Sequence, residues 1–486
     1  MNASRGMSLI DVIVGSALIL IVFLALLGLL RSSLLVSSSA KAKAGATAVA
    51  STQMEYIRSL SYDSVGTIGG IPAGPVAQFA TTTLNGIPYG VRTFVEYVDD
   101  PKDGSGSGDS NGIPTDYKRV RITTTYIFRE EEREVAIISN VSPRSLETTT
   151  NGGTLLVNVV SAVGLPLAGA SVRVQNASVS PVIDVTTFSD LAGEVSLPGA
   201  PTSTAYQITV GKDGYSTAQT YVRDATNQNP TPGYLTIARN QTTSGTFAID
   251  ALSSLIVRTF SPVRAASSTD TFLSAAGVAS MTNTQVLGGA LSLAGAPGSY
   301  ALTGTALSST TIPTYLYEWT SVNASRSIPA GTSATLSIAD ASGTLLPDSV
   351  LPGNSAGFSS FPISLAGVST TTYPGLTLRA SLSSASASST PQVLDWTVAY
   401  EEGPVPLPNV AFELTGAKRK GTTGAGTPIY KTIVSTTTGA LGAVTLPLEW
   451  DVYVLLLTGK TLVSASSSPP YSLSPGTSLL SDLIVQ

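Results

Sequence analysis

The chain contains no cysteine and no histidine, and only 12% of its residues are charged, about half of the usual share. Each absence excludes something. Without cysteine there is no disulfide scaffold, and without histidine or cysteine there is no Ser-His-Asp or Cys-His nucleophile pair and no common zinc or haem ligand set. The 26 lysines and arginines are scattered and the net charge is −5, so the concentrated basic footprint of a nucleic-acid binder is missing. An enzyme built from these residues would need paired carboxylates. Asp340, Asp348 and Asp395 are available, yet nothing in their spacing singles out a pair. We therefore expect no enzyme, no resident cofactor and no nucleic-acid partner. Lack of cysteine leaves the compartment open, while a polar but uncharged composition suits an extracellular β-rich surface protein.

What is present begins at the N-terminus. From Val12 to Leu30 there are 19 residues without charge, about 28 Å as a helix, enough to span a hydrocarbon core. The run is longer than the apolar core of an ordinary signal peptide. It continues into a Ser/Ala-rich stretch with helical spacing through Val49, Met54, Ile57 and Leu60, which predicts one helix of about 50 residues. A leader ending Arg5-Gly6 precedes Met7, and Asp11 is the fifth residue after Gly6. A carboxylate within an apolar span costs on the order of 2.5–3.5 kcal/mol, so Asp11 needs a partner. Cleavage after Gly6 would supply one, as the new α-amine of Met7 on the same chain or on a neighbouring subunit.

This arrangement resembles type IV prepilins and pseudopilins. The resemblance implies that a prepilin peptidase cuts after Gly6 and methylates Met7. It also implies that the acid at the fifth mature position, here Asp11 rather than the usual Glu, guides assembly with other pilin subunits through the helix. The stretch Thr52 to Val65 is similar to the helix end of many minor prepilins. Arg5 lies on one side of the span and Arg31, Lys41 and Lys43 on the other, so charge does not set the orientation. A cytoplasmic leader, a stage in the inner (cytoplasmic) membrane and later display on an extracellular filament are what the resemblance implies.

The expected fold class is α+β at the N-terminus, with one long helix and a small antiparallel sheet, followed by all-β sandwiches. The leader covers 1–6, the helix 7–62 and a pilin-like β head 63–145, with alternating strands such as Val91–Val98 and Tyr117–Tyr126. Between those strands a Gly-rich loop holds Asp100, Asp103, Asp109, Asn111 and Asp116. Clustered oxygens of this kind suit Ca²⁺, although the spacing is not that of an EF-hand and a solvated acidic hairpin has the same composition.

Beyond a spacer, residues 151–250 carry short strands, a Gly193 turn, a Tyr206 strand and Gly214-Tyr215. This order resembles the carboxypeptidase regulatory-like, or transthyretin-like, β-sandwich. The same elements recur in 403–486 at Val405–Leu414, Gly442 and Tyr453, as an internal repeat. Residues 251–402 are similar, more loosely, to jelly-roll modules. There Tyr315, Tyr317 and Trp319 alternate, so on a regular strand they share one face. Such a row could stack on a surface glycan or pack a core. Taken together the sequence predicts a minor pilin or pseudopilin displaying β-sandwiches for adhesion. The alternatives are a membrane-anchored carbohydrate-binding adhesin outside any pilus and a type II secretion pseudopilin.

Overall fold

A computed structural model describes residues 9–100, 102, 113, 115–143 and 151–486. Among the described residues one helix, α1 (Leu9–Arg58), is followed by strands alone, apart from short 3-10 turns. The molecule is mostly β with a small helical part, as the sequence predicts.

The head is a four-stranded antiparallel meander of β1 (Phe79–Leu84), β2 (Ile87–Val98), β3 (Tyr117–Phe128) and β4 (Glu131–Val141). Its inner face packs on the C-terminal half of α1. Ala42, Ala46, Ala50, Met54 and Ile57 recur every three or four residues and are all buried there. Their partners include Tyr89, Val91, Val95, Val120 and Ile122.

The next nine strands are β5 (Gly153–Val160), β6 (Ser171–Asn176), β7 (Ile183–Phe188), β8 (Glu194–Ala200), β9 (Ser203–Gly211), β10 (Ala218–Gln219), β11 (Asn229–Pro230), β12 (Leu235–Ile237) and β13 (Thr242–Ala248). All but β11 form a sandwich of a β13-β5-β8 sheet against a β10-β9-β6-β7 sheet, with β12 also paired to β9; β11 pairs with a strand near the C-terminus instead. β5 and β13 run parallel, and the core between the sheets is aliphatic apart from Tyr206 and Phe247.

The chain then enters β14 (Ser253–Ser261) and crosses directly into a second, larger sandwich. Its strands are β15 (Arg264–Asp270), β16 (Val278–Thr282), β17 (Thr284–Leu287), β18 (Ala290–Leu293), β19 (Thr303–Ser308), β20 (Leu316–Ser327), β21 (Thr332–Asp340), β22 (Ile363–Ser364), β23 (Leu376–Ser384) and β24 (Gln392–Glu402). The sheet β16-β19-β23-β21 faces a sheet centred on β24 and β20.

The last strands are β25 (Val405–Pro406), β26 (Ala411–Gly416), β27 (Arg419–Thr422), β28 (Pro428–Tyr430), β29 (Ile433–Thr437), β30 (Ala443–Leu448), β31 (Asp451–Leu457), β32 (Leu462–Ala465), β33 (Tyr471–Leu473) and β34 (Ser478–Val485). Apart from β27 and β28, which form a small sheet with β11, they close a third sandwich, but only with β14, which runs parallel to β34 and antiparallel to β30. Residues 253–261, assigned by sequence to the 251–402 module, thus belong to the C-terminal sheet. The larger sandwich is inserted between the first and second strands of the third one.

The first and third sandwiches share a strand arrangement and a set of matching hydrogen bonds. Leu167 N–H donates to Val159 O as Leu407 N–H donates to Thr259 O, both at 2.8–2.9 Å. Val159 N–H and Thr259 N–H donate to Gly193 O and Gly442 O, both at 2.7 Å. Both glycines have positive φ, and a Cβ at either would stand within 2.7 Å of the Val159 or Thr259 carbonyl oxygen. Tyr206 and Tyr453 are wholly buried, and each donates its hydroxyl to a carbonyl just upstream, that of Pro201 or Glu449. The repeat predicted from three sequence elements is therefore a repeat of topology and of hydrogen bonding.

Candidate functional site

The two halves of α1 meet opposite environments. Between Leu9 and Val36, seventeen large apolar side chains are exposed. At roughly 1.5–3 kcal/mol for each such side chain left in water, that surface costs tens of kcal/mol, more than the whole stability of a typical domain. Cover by lipid or by other helices would remove that cost. This is the one helix among the described residues that is long and apolar enough to cross a membrane. Leu9 begins the described residues, so Gly6 and Met7 lie outside them, and of Asp11 only its place in the helix is described.

The junction with the head is built on small residues. Gly45 and Ala46 let the Tyr89 ring approach the helix until a Cβ on Gly45 would clash with the phenol, and Tyr89 Oη donates to Ala42 O at 3.0 Å. Burial, with Tyr126 beside it, raises the Tyr89 pKa, which keeps the donor protonated. Tyr126 packs edge-on against Tyr89 with ring centroids 5.8 Å apart.

Where α1 ends, Lys118 holds the turn. Its Nζ donates to Tyr62 O at 2.7 Å and Val65 O at 2.8 Å and lies 4.6 Å from the centroid of the Tyr62 ring, while the side chain is 1% exposed. Sequence reasoning did not single out Lys118. The signal that finds it is the alternation of β3, in which Lys118 shares the inward face with Val120, Ile122 and Thr124. Burial pulls its pKa down to about 8, against the opposing charge of Asp63. The folded head therefore binds this proton less tightly than the unfolded chain, and head stability is expected to rise as pH increases from about 8 toward 10.5. Thermal melts of the wild type and Lys118→Met at pH 7.5 and 9.5 check this: the variant should lose the slope. Its two abandoned carbonyls should lower stability by about 2–4 kcal/mol.

Of the acidic-loop residues, Asp103, Asp109 and Asn111 lie outside the described residues. Asp100 and Asp116 sit at the loop's base. Asp116 Oδ2 accepts from the Asp100 N–H, and Asp100 Oδ1 accepts from the Lys102 N–H. Among the described residues no three acidic side chains converge as a metal site.

The predicted aromatic row is broken. Irregularities in the pairing of β20 with β24, at Leu316/Glu318 and again at Trp319/Ser321, interrupt the alternation. Tyr315 and Tyr317 remain 41% and 54% exposed, whereas Trp319 is fully buried and donates Nε1–H to Tyr373 O at 2.8 Å. Trp319 is a core residue, and the three rings do not form one stacking platform.

The head and first sandwich share a core, since Ile71, Phe94 and Tyr97 pack into the aliphatic cluster of the sandwich. A cleft of about 640 Å³ opens beside this contact, with Arg92, Arg119 and Arg121 set against Glu96, Asp99, Asp190 and Glu194. Its lining charges nearly cancel.

These features define a class of architecture: an apolar helix continuous with a β head, carrying three β-sandwiches away from a membrane-sized segment. No protein-family profile and no curated protein sequence matches the chain. Among solved structures, the Bacillus anthracis TIE protein is 10% identical over 85% of this chain and 74% of that one, at TM-score 0.17. A streptococcal ancillary pilin is 8% identical over 75% of each chain, at TM-score 0.19. The major pilin SpaA of Corynebacterium diphtheriae is 11% identical over 68% of this chain and 99% of its own, at TM-score 0.14. Superpositions this loose carry no argument about function.

Proposed function

We propose that this chain is a minor type IV pilin or pseudopilin. It is held first in the inner membrane by α1 and then drawn with other pilin subunits into a filament or its tip, where the sandwiches face outward for adhesion. The observation that carries the reading is the continuity of α1, whose exposed apolar half runs without a break into the half that forms the core of the head. A helix that served only as a signal or tether has no need to be the central element of a folded domain. In this reading the leader is removed after Gly6, Met7 becomes the methylated N-terminus, and Asp11 meets an α-amine in the helix bundle.

The long β-rich extension favours rare incorporation, because each subunit of a repetitive shaft would have to project three further sandwiches from a crowded lattice. A type II secretion pseudopilin shares every one of these features. An anchored adhesin outside a pilus shares all but the processing. The test is mass spectrometry of the mature N-terminus in a sheared surface fraction. A chain beginning with N-methylated Met7 is expected. A chain beginning at Met1, or cut beyond Leu30, would sink the proposal.

A further inference from the structure

The sandwiches are not all joined in the same way. The head and the first sandwich share one core through Ile71, Phe94 and Tyr97. Between the first and third sandwiches lies a small shared sheet, a clasp in which β11 pairs with β27, Asn229 opposite Thr422 and Pro230 opposite Gly421. Side chains reinforce it. Asn227 Nδ2 donates to Lys420 O at 3.0 Å, Asn229 Nδ2 to Thr422 Oγ1 at 3.2 Å, and Lys431 Nζ to Thr217 O at 2.6 Å. The linker between these two sandwiches is pinned as well, since Gly476 N–H donates to Ala251 O and Leu252 N–H to Gly214 O. Bending this joint has to break bonds in both the clasp and the linker.

The inserted sandwich is held differently. Its core is drawn entirely from residues 264–402, and the core of the third sandwich takes no side chain from that range. Among the described residues no side-chain hydrogen bond, ion pair or strand pairing joins the two bodies. Two chains running side by side connect them. Ser261 opposes Val405 at the edge of the third sandwich, and Arg264 opposes Glu402 at the start of the inserted one. The same register sets Pro262 opposite Pro404 and Val263 opposite Gly403. Across these two pairs the ladder carries no bond: proline has no N–H to give, and Gly403 N–H turns away to Tyr315 O at 2.8 Å. Gly403 has φ +128, and a Cβ there would stand 3.1 Å from Val263 Cα, so the close passage of the two chains calls for glycine.

We propose that this neck, Pro262 and Val263 beside Gly403 and Pro404, is a hinge on which the inserted sandwich swings as a body. The head, first and third sandwiches move together as one stiff arm. Bodies joined without a large apolar interface move relative to one another by default, and a few residues at the ends of strands suffice to absorb the motion. The hinge presents the inserted sandwich to a target over a range of angles without bending the arm. It does not rest on the pilus reading.

The absence of cysteine makes the test direct. Pairs of exposed residues are changed to cysteine in the full chain in detergent, nitroxide labels are attached, and distance distributions are measured by pulsed electron spin resonance. Thr209→Cys with Thr437→Cys spans the clasp, and Thr437→Cys with Ser333→Cys spans the neck. Leu273→Cys with Ser333→Cys lies within the inserted sandwich. The distribution across the neck should be about twice as wide as the other two, or wider. Asn227→Ala with Asn229→Ala, which opens the clasp, should widen the distribution between the first and third sandwiches; no change would overturn the role given to those bonds. A neck pair as narrow as the pair within the inserted sandwich overturns the hinge. A broad clasp pair in the otherwise unaltered chain overturns the stiff arm. Breadth within the inserted sandwich overturns the proposal too, because that sandwich would not be moving as a body.

Discussion

Replacing Glu449 by alanine is expected to lower the stability of the third sandwich by about 3–5 kcal/mol, the usual cost of removing one partner from a buried ion pair. Glu449 is the carboxylate that forms ion pairs with two lysines. Its Oε2 lies 3.0 Å from Lys418 Nζ and 2.8 Å from Lys431 Nζ, and its Oε1 accepts from Thr432 Oγ1 at 3.0 Å. The carboxylate side chain is only 8% exposed, and the Lys418 ammonium lies 3.2 Å from the centroid of a Trp450 ring. Burial pushes the Glu449 pKa up, but hydrogen bonds and charge from Lys431 and Lys418 outweigh it and leave the pKa below its ordinary value. Its contribution is thus complete above the unfolded pKa and is lost as pH falls through the lower folded one. Glu449→Ala should therefore flatten the acid limb of the stability curve as well as lower it.

Lys431 also donates to Thr217 O of the first sandwich, and Asn227 Nδ2 donates to Lys420 O. The variant should consequently loosen the joint between the two sandwiches, read by hydrogen exchange at β11 and β27. The exposed pair Arg173–Asp184, at 2.7 Å, is the contrast. Arg173→Ala should cost only about 0.2–1 kcal/mol. Equal losses from the two substitutions would show that burial does not set the value of these pairs.

Trp319→Ala is expected to destabilise the inserted sandwich by about 3–5 kcal/mol. The ring fills the centre of that core, packs edge-on to Tyr400 with centroids 5.8 Å apart, and leaves Tyr373 O without a donor when removed. Tyr317→Ala, two residues away on the surface, should change stability by no more than about 0.5 kcal/mol. Denaturant titration followed by circular dichroism separates them. A neutral Trp319→Ala would mean that the ring is not the keystone its burial describes.

Trp319 also shows where reading the sequence stops. Alternation placed three aromatics on one face, but pairing irregularities on either side of Trp319 shift the register, and nothing in the local sequence announces them. The helix and the head were legible because their signals are local: an uncharged apolar run followed by helical spacing through Val49, Met54, Ile57 and Leu60, and two-residue alternation along β2 and β3. The repeat was legible because turn glycines and buried tyrosines are chemically conspicuous. The membership of β14 was not, since its partners β30 and β34 lie some 190 and 225 residues further on and the whole inserted sandwich intervenes. Glu449 and Lys118 were missed for a related reason. A charge looks solvated until the elements that bury it have been assembled around it.

The insertion has a mechanical consequence. A pull between α1 and a target gripped by the inserted sandwich enters the first sandwich at the start of β5 and leaves at the end of β13. These strands are parallel neighbours paired over seven residues, so tension shears the whole ladder at once rather than unzipping it bond by bond. The same pull enters the third sandwich at Ser253 and leaves at Ser261, along β14 alone. That strand is already extended, and everything from β25 to β34 hangs beside the line of force. The third sandwich is a sleeve around a taut cord. It can remain folded under loads that the first sandwich must bear in full.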